Sequence, residues 1–156
     1  MTDPERLQHA LDLAYRFLGQ RDRTVAEVRE RLTAEGIEEA VVEAAVEELR
    51  HLGYLDDARY AQRFAEDRRT IDAWGAERIE RRLLAVGVDP QLIAAARGEQ
   101  GAGEELEAAL AVLRRRFAQP PAHDRDRDRA LGLLVRKGYE LDLAYDAVRA
   151  FERDAA

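Results

Sequence analysis

The sequence predicts an all-α protein of three tandem three-helix repeats. Three observations carry that expectation. Apolar residues recur at spacings of three and four almost throughout, which places each set on one helical face. No run alternates apolar and polar residues in the manner of a half-buried strand. A glycine-centred pattern also returns twice at an interval of 51 residues. Leu32-Thr-Ala-Glu-Gly36-Ile37 aligns with Leu83-Leu-Ala-Val-Gly87-Val88 and with Leu134-Val-Arg-Lys-Gly138-Tyr139. At the same offsets lie Val41, Leu92 and Leu143, then Ala45, Ala96 and Ala147, while upstream Val28 matches Ile79 and Ala130. Each unit therefore has a leucine closing one helix, a glycine suited to the left-handed turn, an apolar residue, and a further helix in register.

The elements follow in order. Leu7, Leu11, Ala14 and Leu18 stripe a helix over about 5–19. Thr24-Val-Ala-Glu27 has capping-box spacing and opens a helix over about 24–35. Val42, Ala45, Leu49 and Leu52 mark the next, over about 38–52. Gly53 can end it and let Tyr54 pack back on Leu49. Asp56 then caps a helix over about 56–70, Asp57 adds an acid to its first turn, and Leu55 and Tyr60 fit a hydrophobic staple. Trp74-Gly75 makes a corner before a helix over about 75–86, with Trp74 as a packing anchor. Asp89-Pro90 starts the sixth, over about 89–98.

Gly98-Glu-Gln-Gly-Ala-Gly103 reads as a flexible linker, and about 103–118 as the seventh helix. Gln119-Pro-Pro-Ala122 breaks the third repeat, after which the alternating charges of His123–Arg129 read as the solvated start of a helix over about 125–137. Leu141, Ala144, Val148 and Phe151 stripe the last, over about 140–153. The repeats are expected at 1–55, 56–99 and 100–156.

Composition narrows the function. With 46% hydrophobic and 37% charged residues, 156 residues can bury a core. The 25 basic residues against 32 acidic ones give a net charge of -7, which argues against bulk electrostatic binding to duplex DNA. There is no cysteine, hence no disulfide, thiol nucleophile or thiolate metal site. Met1-Thr-Asp-Pro-Glu-Arg6 lacks the basic and apolar regions of a signal peptide, and no apolar run is long enough to span a bilayer, so a cytoplasmic location is expected.

Catalytic chemistry finds no support. Asp56 and Asp57 are adjacent, and neighbours at i and i+1 on a helix do not face each other, so they shape a helix start rather than share a metal or a proton. His9, His51 and His123 are far apart and none has a ligand partner one turn away. Gly98, Gly101 and Gly103 lack the Lys-Ser/Thr of a phosphate loop, and the chain has no serine. No enzyme activity, catalytic residue, metal, cofactor or small-molecule substrate is expected.

The arginines are the remaining candidates for function. Residues 1–55 carry a net -5, residues 56–98 a net 0 and residues 99–156 a net -2, so the middle repeat is the least acidic. Arg78, Arg81 and Arg82 fall on one helix face, Arg59 and Arg63 share another, and Arg68 and Arg69 end that helix. This cluster is the candidate surface for an acidic partner or a phosphate backbone. The competing reading is a solvated face carrying an i,i+4 pair of Glu77 and Arg81.

Gly53-Tyr-Leu-Asp-Asp-Ala-Arg-Tyr-Ala-Gln-Arg-Phe64, followed by Trp74-Gly-Ala-Glu-Arg-Ile-Glu-Arg-Arg-Leu-Leu-Ala-Val-Gly-Val88, resembles the RecX family, regulators of the RecA recombinase. Arg21–Gly36 fits the family's first repeat and Leu134–Tyr139 its last. The chain departs from the family at Pro120-Pro121 and in its acidic charge, where many relatives are basic. The resemblance implies three tandem three-helix repeats forming an elongated, curved helical-repeat protein, and binding to RecA, as monomer or nucleoprotein filament, with inhibition of its ATPase and strand exchange in DNA repair, recombination and the SOS response. It supplies no catalytic residues. Two other classes stay open: a DNA-binding or transcription-regulating module with weak DNA contact, and a generic helical-repeat adaptor.

Overall fold

In the computed structural model, residues 3–98 and 101–154 are described, and they contain nine α-helices and no strand. The helices are α1 (Pro4–Leu18), α2 (Val25–Ala34), α3 (Glu39–His51), α4 (Asp57–Ile71), α5 (Ala76–Ala85), α6 (Pro90–Arg97), α7 (Ala102–Arg116), α8 (Asp124–Lys137) and α9 (Leu141–Asp154). Each lies within two residues of its expected span. The expected linker is shorter than its composition suggested, because α7 already begins at Ala102; Glu99 and Gln100 within it, like Met1 and Thr2 at the start, lie outside the described residues.

The 51-residue period corresponds to one backbone device. At the end of α2, Gly36 N–H donates to Thr33 and Ile37 N–H to Leu32. The ends of α5 (Gly87 to Leu84, Val88 to Leu83) and α8 (Gly138 to Val135, Tyr139 to Leu134) repeat the pair, and the three glycines have φ of 82°, 86° and 102°. This is the Schellman termination, in which the positive φ aims two N–H groups back at carbonyls the helix has left unpaired. The closing leucines, Leu32, Leu83 and Leu134, are all fully buried. Gly53 ends α3 in the same way, although Tyr54 turns its ring edge-on to Tyr15 with centroids 5.3 Å apart instead of burying it on Leu49.

The chain forms two compact units, Met1–Arg63 with Leu83–Ala96, and Phe64–Arg82 with Arg97–Ala156. The core of the first contains Ala10, Ala14, Val28, Leu32, Ala45, Val46 and Leu49 from α1, α2 and α3. Leu52, expected on that face, is 50% exposed because it stands beyond the last helical turn, and Leu55 is buried instead. The core of the second contains Leu113, Ala130, Leu134, Ala144, Ala147, Val148 and Phe151 from α7, α8 and α9. Pro120-Pro121 therefore lengthens the α7–α8 connection without preventing those helices from packing. Leu141 is 52% exposed, being the first residue of α9 and ahead of its packed turns.

Candidate functional site

The signature around Asp56 and Asp57 splits into two tasks. Asp56 accepts from the Arg59 N–H at 3.0 Å and caps α4, as its position predicts. Asp57 instead reaches α2, where its carboxylate accepts from the Val25 N–H at 2.9 Å. There it completes a cap that Thr24 and Glu27 have begun: Thr24 N–H donates to Glu27, and Glu27 N–H to the Thr24 hydroxyl. That hydroxyl, on a fully buried side chain, also donates to the Val86 carbonyl at 2.6 Å. The start of α2 is thus joined to the end of α5, and Gly87 lies where a Cβ would strike that of Ala26. Burial pushes the Asp57 carboxyl up from its ordinary 3.8, against the opposing pull of the Val25 N–H and of Arg50.

The second unit repeats this junction 51 residues later. Gly75 N–H donates to Lys137 C=O at 2.8 Å and Glu77 N–H to Gly138 C=O at 3.0 Å. Here the unpaired amides at the start of α5 meet the unpaired carbonyls at the end of α8. Gly75 and Gly138 approach so closely that a Cβ on Gly75 would lie 2.6 Å from Tyr139 N. The buried Tyr139 hydroxyl donates to Ala73 C=O and Lys137 Nζ to Asp72 C=O, both at 2.9 Å. Burial, with Glu105 adding to it, pushes the Tyr139 hydroxyl up to about 12.

The candidate arginines differ in how far each is free. Arg59 and Arg63 belong to the first unit, where the Arg59 guanidinium donates to Gly53 C=O at 2.8 Å and Arg63 is exposed. In the second unit Arg68 pairs with Asp72 at 2.7 Å and Arg69 is half-buried. Arg78 is turned inward: its guanidinium sits 4.0 Å above the Trp74 ring and donates to Arg136 C=O. Trp74 meets Phe64 edge-on at 6.0 Å, so it anchors the corner as expected. Arg81 and Arg82 remain exposed on α5, and among the described residues neither takes part in an ion pair, the expected Glu77–Arg81 contact included.

Arg78, Arg68 and Arg59 are therefore structural cations first, and the free positive charge of α5 rests on Arg81 and Arg82. A second group of arginines lies at the end of α7, which sequence reasoning did not single out, and along α8, where it read only a solvated helix start. Among the described residues no group of three or more His, Cys, Asp or Glu is placed to hold a metal ion, and no helix is long and apolar enough to cross a membrane.

Comparison with known proteins bears on these helices directly. Residues 10–49 match the family model described as RecX, first three-helix domain, and residues 56–96 the one described as RecX, second three-helix domain. The curated Regulatory protein RecX of Trichlorobacter lovleyi is 38% identical over 134 residues, covering 83% of this chain and 87% of that protein. The protein of the same name from Mycobacterium sp. (strain JLS) is 29% identical over 153 residues, covering 94% and 84%. The crystal structure of RecX from Lactobacillus salivarius shares the fold, with a TM-score of 0.82 at 17% identity over 96% of this chain and 98% of that one.

Proposed function

The chain belongs to the RecX family of regulatory proteins, and on that premise we propose that it regulates a RecA recombinase, mainly as an inhibitor. It binds the RecA monomer or the nucleoprotein filament and suppresses ATPase and strand exchange in the control of DNA repair and recombination. The observation that carries this reading is the match of both three-helix segments to the family. The physics of the chain is compatible with it. We further propose that the chain is organised as three repeats, at 1–55, 56–99 and 100–156, since tandem helical repeats suit a long partner.

Contact falls to the arginines of the middle repeat, with Arg81 and Arg82 foremost because among the described residues no carboxylate pairs with either of them. Arg63 and Arg69 contribute at their own faces, while Arg59 and Arg78 bond backbone carbonyls and Arg68 pairs with Asp72. The test is binding of the labelled chain to RecA filaments assembled on single-stranded DNA with a slowly hydrolysed nucleotide. Saturable binding, weakened at least tenfold by the double substitution Arg81→Glu/Arg82→Glu at unchanged helicity, is expected. Equal binding by the variant removes these two residues from the interface, and no binding by the parent chain removes the recombinase reading.

A further inference from the structure

A cleft of about 660 Å³ in the second unit gathers Arg116 and Phe117 from the end of α7 with Arg125, Asp128, Arg129 and Arg136 of α8. It lies beyond both segments that match the family, which end at residue 96. Nearby arginines are spoken for: Arg114 pairs with Asp154 at 2.6 Å and Arg127 with Glu152 at 3.1 Å. Among the described residues the four cleft arginines have no ion pair, and all four are exposed. Four unpaired guanidinium groups against one carboxylate, Asp128, leave a local excess of positive charge in a protein of net charge -7.

The same face of α8 carries a second signal. Gly132 sits in the middle of α8, where glycine costs roughly 1 kcal/mol of helix stability relative to alanine. Its φ is not positive, and a Cβ there would meet only the flexible tip of Arg136, 3.0 Å away. Neither backbone conformation nor core packing therefore asks for glycine. The matching positions of the other two repeats hold the exposed, charged Glu30 and Arg81. What the missing side chain does is let the Arg136 guanidinium lie back against α8 over Gly132.

We propose that this cleft binds an extended, carboxylate-rich peptide segment of a protein partner, with Arg125, Arg129 and Arg136 forming a stripe of carboxylate forks and Gly132 leaving room for the Arg136 guanidinium against the helix. Arginine presents a planar fork that pairs two-pronged with a carboxylate. Arg125 to Arg136 spans about 16 Å of helix at 1.5 Å per residue, the length of about five extended residues at 3.3 Å each. Arg125 and Arg129 are about 6 Å apart along the axis, close to the roughly 6.6 Å between alternate side chains of a strand.

Nucleic acid is the poorer fit. Strand binding calls for a basic domain and stacking platforms. The chain has a pI near 5.1, and among the described residues Phe117 is the only aromatic lining the cleft. This binding is independent of the recombinase reading, since it rests on the unpaired arginines of the cleft and not on the family match.

Fluorescence anisotropy of the full chain with labelled hexaglutamate, beside an equally labelled oligothymidylate of twelve nucleotides, tests the assignment. Saturable hexaglutamate binding is expected, weakened at least tenfold by Arg129→Glu/Arg136→Glu and unaffected by Arg81→Glu/Arg82→Glu. Gly132→Ala should weaken binding several-fold while raising the melting temperature, a combination that loss of fold cannot produce. No saturable hexaglutamate binding, tighter binding of the oligothymidylate, or full affinity in both the arginine pair variant and Gly132→Ala would each overturn it.

Discussion

Thr24→Val is the sharpest perturbation of the architecture, because it keeps the shape of a fully buried side chain and deletes one hydroxyl. That hydroxyl accepts from the Glu27 N–H at 3.1 Å and donates to the Val86 C=O at 2.6 Å. Losing an N-cap acceptor costs about 1 kcal/mol, within a range of roughly 0.5–2. A carbonyl deprived of its partner away from water adds about 1–3 kcal/mol. The expected loss is therefore about 2–4 kcal/mol, read as a lower urea midpoint with an unchanged m-value by circular dichroism at 222 nm. Thr24→Ser retains both hydrogen bonds and gives up one methyl group, so it should lose only about 1 kcal/mol. A Thr24→Val protein within about 0.5 kcal/mol of its parent would refute the claim that this hydroxyl joins α2 to α5.

Gly138→Ala should cost about 2–4 kcal/mol, since its φ is 102° and its Cβ would strike the Arg78 backbone. Gly36→Ala, with a positive φ but open space, should cost only about 1–2 kcal/mol in the same urea experiment. Asp57→Ala leaves the Val25 N–H without its partner and should lose about 1–3 kcal/mol, whereas Asp57→Asn keeps an acceptor there and should lose less. Because burial raises the Asp57 pKa, its titration favours the fold below 3.8 and that contribution is lost as pH rises through the folded value. The stability difference between parent and Asp57→Asn should accordingly fall with rising pH across that window, and an increase would contradict the assignment. Tyr139, raised to about 12, favours the fold below pH 10 and ceases to as pH approaches 12. Absorbance titration at 295 nm should find a late-ionising tyrosine that Tyr139→Phe removes.

The helices and their ends were legible because their causes are local. The glycine period encodes a backbone turn closed within six residues, and Thr24-Val-Ala-Glu27 encodes a cap closed within four. The junctions were not legible. Nothing in periodicity says that Asp57 will cap α2 rather than its own helix, or that Thr24 will bond to Val86. Charge counting likewise ranked the middle repeat highest but could not tell that Arg78 would lie on Trp74 and Arg68 would pair with Asp72.

The same averaging hid the α8 cleft, where the aspartates interleaved through residues 124–129 cancel the arginines in any net count. A helical projection would have shown Arg125, Arg129, Gly132 and Arg136 on one face. Their mid-helix glycine was the signal that composition could not weigh.

The central claim is regulation of the recombinase, and RecA's DNA-dependent ATPase and strand exchange, followed as this protein is titrated to stoichiometry, measure it most directly. Both activities should fall progressively with added protein. Unchanged rates at stoichiometric protein would contradict the account.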